Sequence, residues 1–163
     1  MDDPKLLSER KEGGAIYSES GERMMILPVY FYKAVYDALE DVVGRAAPTI
    51  IYYIGVKAGR HMAKDAARMR SGSGNVADVK AIADVLQEMG IGTVEKVEQT
   101  DSKIVLVLGN TISGALKLDE GKRCHLERGL VAGMLSELTG KRVNVKPLRI
   151  NEQRCGFEIE IQG

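Results

Sequence analysis

Residues 121–163, GKRCHLERGLVAGMLSELTGKRVNVKPLRINEQRCGFEIEIQG, hold the clearest succession of a helix pattern and strand patterns in the chain. After Cys124, apolar residues recur every four positions, as they do on one face of a helix: Leu126, Leu130, Met134 and Leu138. Gly140 ends this helix, and the segments VNVKPLRI and CGFEIEIQ then alternate apolar and polar residues on either side of the turn NEQR. A helix followed by a strand hairpin indicates an α+β fold.

Two glycines lie beside the apolar stripe of this helix. Gly129 and Gly133 are four residues apart and therefore fall on the same face. Because glycine has no side chain, the backbone of a second helix can approach this face closely. The spacing predicts a tight helix–helix contact.

The remainder of the chain contains similar elements. GAIYS and RMMIL predict a short hairpin, and helices are predicted from Pro28 to about Gly44 and from Thr49 to about Arg70. After the loop RSGSGN, Asn75 is a candidate cap for a third helix that ends at Gly90. GTVEKVEQ, KIVLVLGN and SGALKL predict an antiparallel meander, with IVLVL as a strand buried on both faces. The expected architecture is one antiparallel sheet covered by helices on one face.

Composition limits the classes of function. The 163 residues suit a single domain over 1–163, with a loose segment at 1–13. The 23 lysines and arginines balance the 23 aspartates and glutamates, which argues against nucleic acid as a partner. The polar N-terminus lacks the apolar core of a signal peptide, and no apolar run reaches the roughly 18 residues that span a bilayer. We expect a soluble, cytoplasmic protein.

The two cysteines, Cys124 and Cys155, have three interpretations. A structural disulfide framework is not expected in a reducing compartment, so metal binding, redox chemistry and plain burial remain open. His61 and His125 are the only histidines, and neither lies in a metal-ligand motif.

Six of the eight aromatic residues lie in the first two predicted helices, and Tyr32, Tyr36, Tyr52 and Tyr53 are the candidates among them for ligand contact. Core packing explains such a cluster most simply, and a lined apolar pocket or a dimer face is the alternative.

Catalytic patterns are lacking: no nucleophile elbow or cofactor motif occurs, and Glu127 and Glu137 are too far apart along the helix for a dyad. We expect no catalytic residues.

The order of elements in CHLERGLVAGMLSELTG and CGFEIEI resembles the 4-vinyl reductase-like (4VR) domain, and the likeness extends from RMMIL to the C-terminus. The resemblance implies a helix-covered antiparallel sheet, a homodimer, and kinship with TRAPP subunits and haem nitric-oxide-binding domains. It also implies an enclosed site for a small hydrophobic molecule, as in aromatic-sensing domains of transcription activators.

The resemblance also bears on the cysteines. Phenol-sensing members hold zinc with a cysteine at the start of this helix and with a glutamate and two cysteines in the final hairpin. Cys124 and Cys155 match the first and last of these positions, but Asn144 and Pro147 occupy the middle two and are not zinc ligands. His125 and Glu152 are the residues left to complete a site. We therefore expect no zinc or other cofactor, and two buried cysteines that lie near each other.

Three functions follow from these observations. The first is a stand-alone domain that binds a small hydrophobic or aromatic ligand, or senses and regulates, without turnover. The second is a 4-vinyl reductase-type enzyme or accessory that acts on a tetrapyrrole. The third is a homodimeric interaction subunit. The absence of a cofactor motif favours the first.

Overall fold

The computed structural model describes residues 16–18, 20–151 and 153–163. The segment 1–13 and Glu152 lie outside the described residues, so the expectations about them are not addressed. The helices are α1 (Val29–Val43), α2 (Ala47–Met69), α3 (Asn75–Glu88), α4 (Ile112–Ala115) and α5 (His125–Thr139). The strands are β1 (Ile16–Tyr17), β2 (Arg23–Met24), β3 (Thr93–Thr100), β4 (Lys103–Gly109), β5 (Arg142–Leu148) and β6 (Cys155–Gln162).

The main sheet is antiparallel throughout, with the strand order β3-β4-β6-β5. β4 is therefore an interior strand, as its sequence indicates. On one face Ile104, Leu106 and Leu108 are buried, but Val105 and Val107 on the other face are only half-buried. The prediction of burial on both faces is wrong because the helices cover one face of the sheet, so only alternate residues of β4 reach the core.

Helices α3 and α5 pack on the covered face, and α2 packs across them from the outside. The main core joins these helices to β4 and β6, and its largest side chains include Leu86, Leu106, Met134 and Phe157. Helix α1 lies farther out, where Tyr36 forms a small second core with Ala47 and Ile51 of the α2 region. The predicted α+β architecture with a helix-covered antiparallel sheet is confirmed.

Helices α2 and α5 cross with their backbones in direct contact. A methyl group on Gly133 would lie 2.9 Å from Val56 Cα and nearer still to the Val56 carbonyl oxygen. A methyl group on Gly55 would lie 2.5 Å from the Leu126 carbonyl oxygen. The tight contact predicted from Gly129 and Gly133 is thus confirmed, and its partner is the face of α2 that carries Gly55 and Gly59. The same four-residue spacing in GVKAG was the available sequence signal for that partner.

Two local predictions fail. The segment SGALKL is not a strand, because α4 begins after Thr111, whose hydroxyl accepts a hydrogen bond from the Gly114 N–H. Asn75 is the first residue of α3 and its side chain makes no cap; Gly74, with a φ of 90°, precedes the helix. Glycine is suited to that position because it reaches positive φ without steric cost. None of the described helices is long and apolar enough to cross a membrane.

Candidate ligand-binding site

An apolar cavity of about 420 Å³ lies between the segment that enters α1 and the end of α3. Residues from 24 to 29 form one wall, together with Phe31 and Tyr32 of α1. Met89 and Ile91 after α3 and Ile112 of α4 form the opposite wall. Glu88 is the one charged residue among the described lining residues. Pro28, which precedes α1, has an extended backbone and also lines the cavity.

Tyr32 is a polar residue of the cavity lining. Its hydroxyl is buried, and it has no hydrogen-bond partner among the described residues. Burial raises the pKa of the Tyr32 phenol well above its usual range, and the nearby Glu127 carboxylate raises it further. The ring meets that of Tyr36 edge-on, with 6.2 Å between the centroids. An unpartnered buried hydroxyl is costly in an empty protein and is a natural partner for one polar atom of a ligand.

Behind Tyr32 lies a fully buried carboxyl group. The Ser113 N–H donates to Glu127 Oε1 at 3.1 Å, and the Ser113 hydroxyl donates to Glu127 Oε2 at 3.1 Å. The same hydroxyl accepts the Cys124 N–H at 2.9 Å. Burial raises the pKa of Glu127, although the hydrogen bonds from Ser113 act in the opposite direction. This network ties the start of α5 to α4 next to the cavity.

The burial of Glu127 is not among the features predicted from the sequence. A signal was present, because Glu127 precedes Leu130, Val131 and Met134 by three, four and seven positions and so shares their helix face. All three of those residues are buried. A glutamate on a core-facing stripe requires hydrogen-bond partners, and Ser113, in a segment predicted as a strand, supplies them.

The four candidate tyrosines do not converge on one site. Tyr32 lines the cavity, whereas Tyr36, 1% exposed, packs in the small second core. Tyr52 packs against the main core and lies under the Arg128 guanidinium, 4.5 Å from the ring centroid. Tyr53 is 58% exposed. Only Tyr32 of this set is a lining residue of the apolar cavity, and a ligand role for the others stays a prediction.

Cys124 and Cys155 form a disulfide that joins the start of α5 to the start of β6. The predicted proximity is confirmed, but the interpretation as two separate buried thiols is wrong. The strand β6 enters the core beside the residue before α5, so the two Cα atoms are 5.7 Å apart, within bonding reach. Cys124 has a φ of 64°, a backbone conformation that non-glycine residues adopt seldom, and the crosslink holds it there.

The arrangement does not fit a zinc ion. Both sulfur atoms are used in the disulfide, and a disulfide sulfur is not the thiolate that zinc requires. His125 Nε2 lies 2.9 Å from the Gly121 carbonyl oxygen, a contact that engages this ring nitrogen. Among the described residues, no group of three or more histidine, cysteine, aspartate or glutamate side chains is placed to hold a metal. The expectation of no zinc stays a prediction that requires elemental analysis.

Solved structures with little sequence similarity share the fold. The phenol-responsive sensory domain of the transcription activator PoxR, solved with phenol, matches with a TM-score of 0.79 at 19% identity over 96% of this chain and 85% of that chain. Trafficking protein particle complex subunit 3 from Naegleria fowleri, covalently bound to palmitic acid, matches with a TM-score of 0.63 at 17% identity over 83% of this chain and 93% of that chain.

A vinyl-4-reductase family protein from Methanocaldococcus jannaschii matches with a TM-score of 0.59 at 16% identity over 86% of this chain and 85% of that chain. H-NOX domains share the fold as well. No protein-family model matches the sequence, and no curated protein is significantly similar to it. At these identities the likeness is one of fold, and at that level the resemblance to 4VR, TRAPP and haem nitric-oxide-binding proteins is confirmed.

Proposed function

We propose that this protein binds a small, neutral, largely hydrophobic molecule in the cavity between residues 24–32 and the α3 end. The observation that carries the proposal is an apolar space of about 420 Å³, whose lining includes Tyr32, a residue with a buried hydroxyl that has no partner among the described residues. Ligand sites are commonly apolar cavities of about 300–1,000 Å³ with a few polar groups that fix orientation. The PoxR sensory domain, whose fold this chain shares, was solved with phenol.

Size and lining narrow the ligand class. A cavity of roughly 150 Å³ holds one benzene molecule, so the present cavity suits two or three fused or linked rings, or a branched aliphatic body. An anionic ligand is disfavoured because the described lining offers no cation to pair with it and includes the acidic Glu88. One hydroxyl or carbonyl group on the ligand would meet the Tyr32 hydroxyl.

The alternative of an enzyme that acts on a tetrapyrrole receives less support. Neither His61 nor His125 lines the cavity, so no imidazole is available there as an axial ligand or as a proton donor. Binding without turnover therefore remains the favoured hypothesis.

The test is titration with N-phenyl-1-naphthylamine, a neutral fluorescent probe. Leu27 lines the cavity and is 44% exposed, so Leu27→Trp should fill part of the space without disturbing the core. We expect this variant to weaken probe binding by about tenfold or more, since overfilling an occupied site costs about 1–3 kcal/mol. Ser102→Trp is the control, because Ser102 is exposed in the turn between β3 and β4 and does not line the cavity. Equal binding by all three proteins would reject this site.

We further propose a homodimer formed through α1 and α2. Val42 at the end of α1 is 82% exposed, and Tyr53 and Ile54 near the start of α2 are 58% and 42% exposed. Large apolar side chains exposed on two consecutive helices favour an interaction surface there. Sedimentation at micromolar concentration should give twice the 17.8 kDa mass of one chain.

A charge in the proposed dimer face provides the control experiment. Val42→Lys should give a monomer, whereas Ser102→Lys in the exposed turn between β3 and β4 should leave the mass unchanged. A wild-type protein that sediments only at 17.8 kDa would exclude the dimer.

A further inference from the structure

A second pocket, of about 250 Å³, opens beside the disulfide. Its walls come from the turn before α5, the end of β5 and the start of β6, and Cys124 is one of its lining residues. Cys124 is half-buried, whereas Cys155 is 0% exposed. A solvent molecule or small solute can therefore reach the disulfide only from the Cys124 side.

The pocket is cationic. Arg123, Arg149 and Arg154 line it, and Glu120 is the one acidic residue among the described lining. Arg154 is paired with Glu95 outside the lining, with 2.8 Å between Nε and Oε2. With Glu95 counted, three cations face two anions, and the net positive charge favours an anionic solute in this space.

Arg149 is the arginine most available to such a solute. Arg149 Nε lies 3.8 Å from Glu120 Oε1, but the side chains are 96% and 72% exposed, so this pair contributes little. Arg123 is half-buried, and its Nε has no hydrogen-bond partner among the described residues. Arg123 therefore adds positive charge to the wall, and Arg149 is the cation that a solute can contact.

The burial of the two cysteines favours one direction of exchange. Cys124 lines the pocket and Cys155 is fully buried, so a thiolate in the pocket can attack Cys124 Sγ, and Cys155 Sγ is then the leaving group. The buried Thr111 hydroxyl lies 3.6 Å from Cys155 Sγ and can donate a hydrogen bond to the leaving thiolate.

We propose that this pocket is the site at which an anionic low-molecular-weight thiol opens the disulfide and becomes attached to Cys124. The incoming thiolate forms a new S–S bond with Cys124 Sγ, the Cys124–Cys155 bond breaks, and the electron pair leaves with Cys155 Sγ, which takes up a proton from water. A second thiol can then release Cys124 as a thiol and form the external disulfide. The external thiol is the reductant in both steps, which together transfer two electrons.

The first test compares three thiols of similar size that differ in charge: 3-mercaptopropionate, 2-mercaptoethanol and cysteamine. Each rate of disulfide opening is first divided by the thiolate concentration. It is then divided by the rate at which the same thiol opens hydroxyethyl disulfide, a small uncharged reference, so that differences in intrinsic thiol reactivity cancel. At low ionic strength the anionic thiol should be faster than the neutral one by about two- to threefold, because one net positive charge acts at roughly 8 Å in a wet site. Salt should reduce this preference.

The second test uses matched arginine variants. Arg149→Gln should lower the preference for the anionic thiol by about two- to threefold, the effect of one charge at roughly 8 Å in water. Arg142→Gln, at the opposite and exposed end of β5, should leave it unchanged. Intact-mass analysis and peptide mapping after a single exchange should place the adduct on Cys124 and a free thiol on Cys155.

Three results would overturn the proposal. They are a rate ratio that does not depend on thiol charge, an adduct on Cys155, and two free thiols in protein purified without reductant.

Discussion

The contact between α2 and α5 leads to the sharpest stability prediction, the effect of Gly133→Ala. The added methyl group would lie 2.9 Å from both the Cα and the carbonyl carbon of Val56, and closer still to its carbonyl oxygen. Those are backbone atoms of a long helix, so no side-chain rotation can relieve the overlap. The two helices must move apart by about 1 Å to restore normal contact distances.

The magnitude follows from that displacement. A gap of about 0.5–1 Å forfeits a quarter to a half of the dispersion attraction across a contact, and overfilled cores lose about 1–3 kcal/mol. The clash with backbone atoms puts Gly133→Ala at the upper end of this range. Alanine is preferred over glycine in a helix by about 1 kcal/mol, which offsets part of the loss. We expect a net decrease of about 2 kcal/mol in the free energy of unfolding, or a Tm lower by about 4–8 °C.

Urea denaturation followed by circular dichroism measures this difference. Gly121→Ala is the matched control, because a methyl group on Gly121 would meet no atom within 4 Å and its φ is not positive. The control should be neutral or up to about 1 kcal/mol more stable. If Gly133→Ala is as stable as the wild type while the control behaves as expected, the backbone-contact argument is wrong.

Three further predictions concern the network around the cavity. Replacing Cys124 and Cys155 together by serine removes a crosslink between residues 31 apart in sequence and should lower the free energy of unfolding by about 3–4 kcal/mol in urea titrations. Burial raises the pKa of Glu127 in the folded state, so the native protein keeps the proton of this carboxyl group to a higher pH than the unfolded chain does. The free energy of unfolding therefore falls as the pH rises above the pKa that Glu127 has in the unfolded chain. Glu127→Gln should therefore gain stability relative to the wild type as the pH rises above 4.5, the usual pKa of glutamate, while a stability difference that does not change with pH would contradict the raised pKa. Tyr32→Phe should weaken binding of a hydroxylated ligand such as a naphthol by about two- to tenfold and leave binding of N-phenyl-1-naphthylamine unchanged; an equal loss for both would mean that the hydroxyl is not the contact.

Local patterns were sufficient for most of the elements. Residues close in sequence determine three of these features: the period of four in the last helix, the alternation in β5 and β6, and the helix end at Gly140. They could therefore be predicted without knowing which other elements they pack against. The spacing of Gly129 and Gly133 also predicted a close helix contact, because the lack of side chains is a property of the residues themselves.

Tertiary structure decided the features that depend on residues far apart in the chain. The partner of the α5 glycines, the disulfide between Cys124 and Cys155, and the hydrogen bonds from Ser113 to Glu127 each join segments between 14 and about 80 positions apart. The apolar cavity likewise lies between residues 24–32 and residues after α3. No local period encodes such pairings, because the packing of whole helices on the sheet decides which surfaces meet. A buried glutamate is tolerated only where that packing brings hydrogen-bond donors to it.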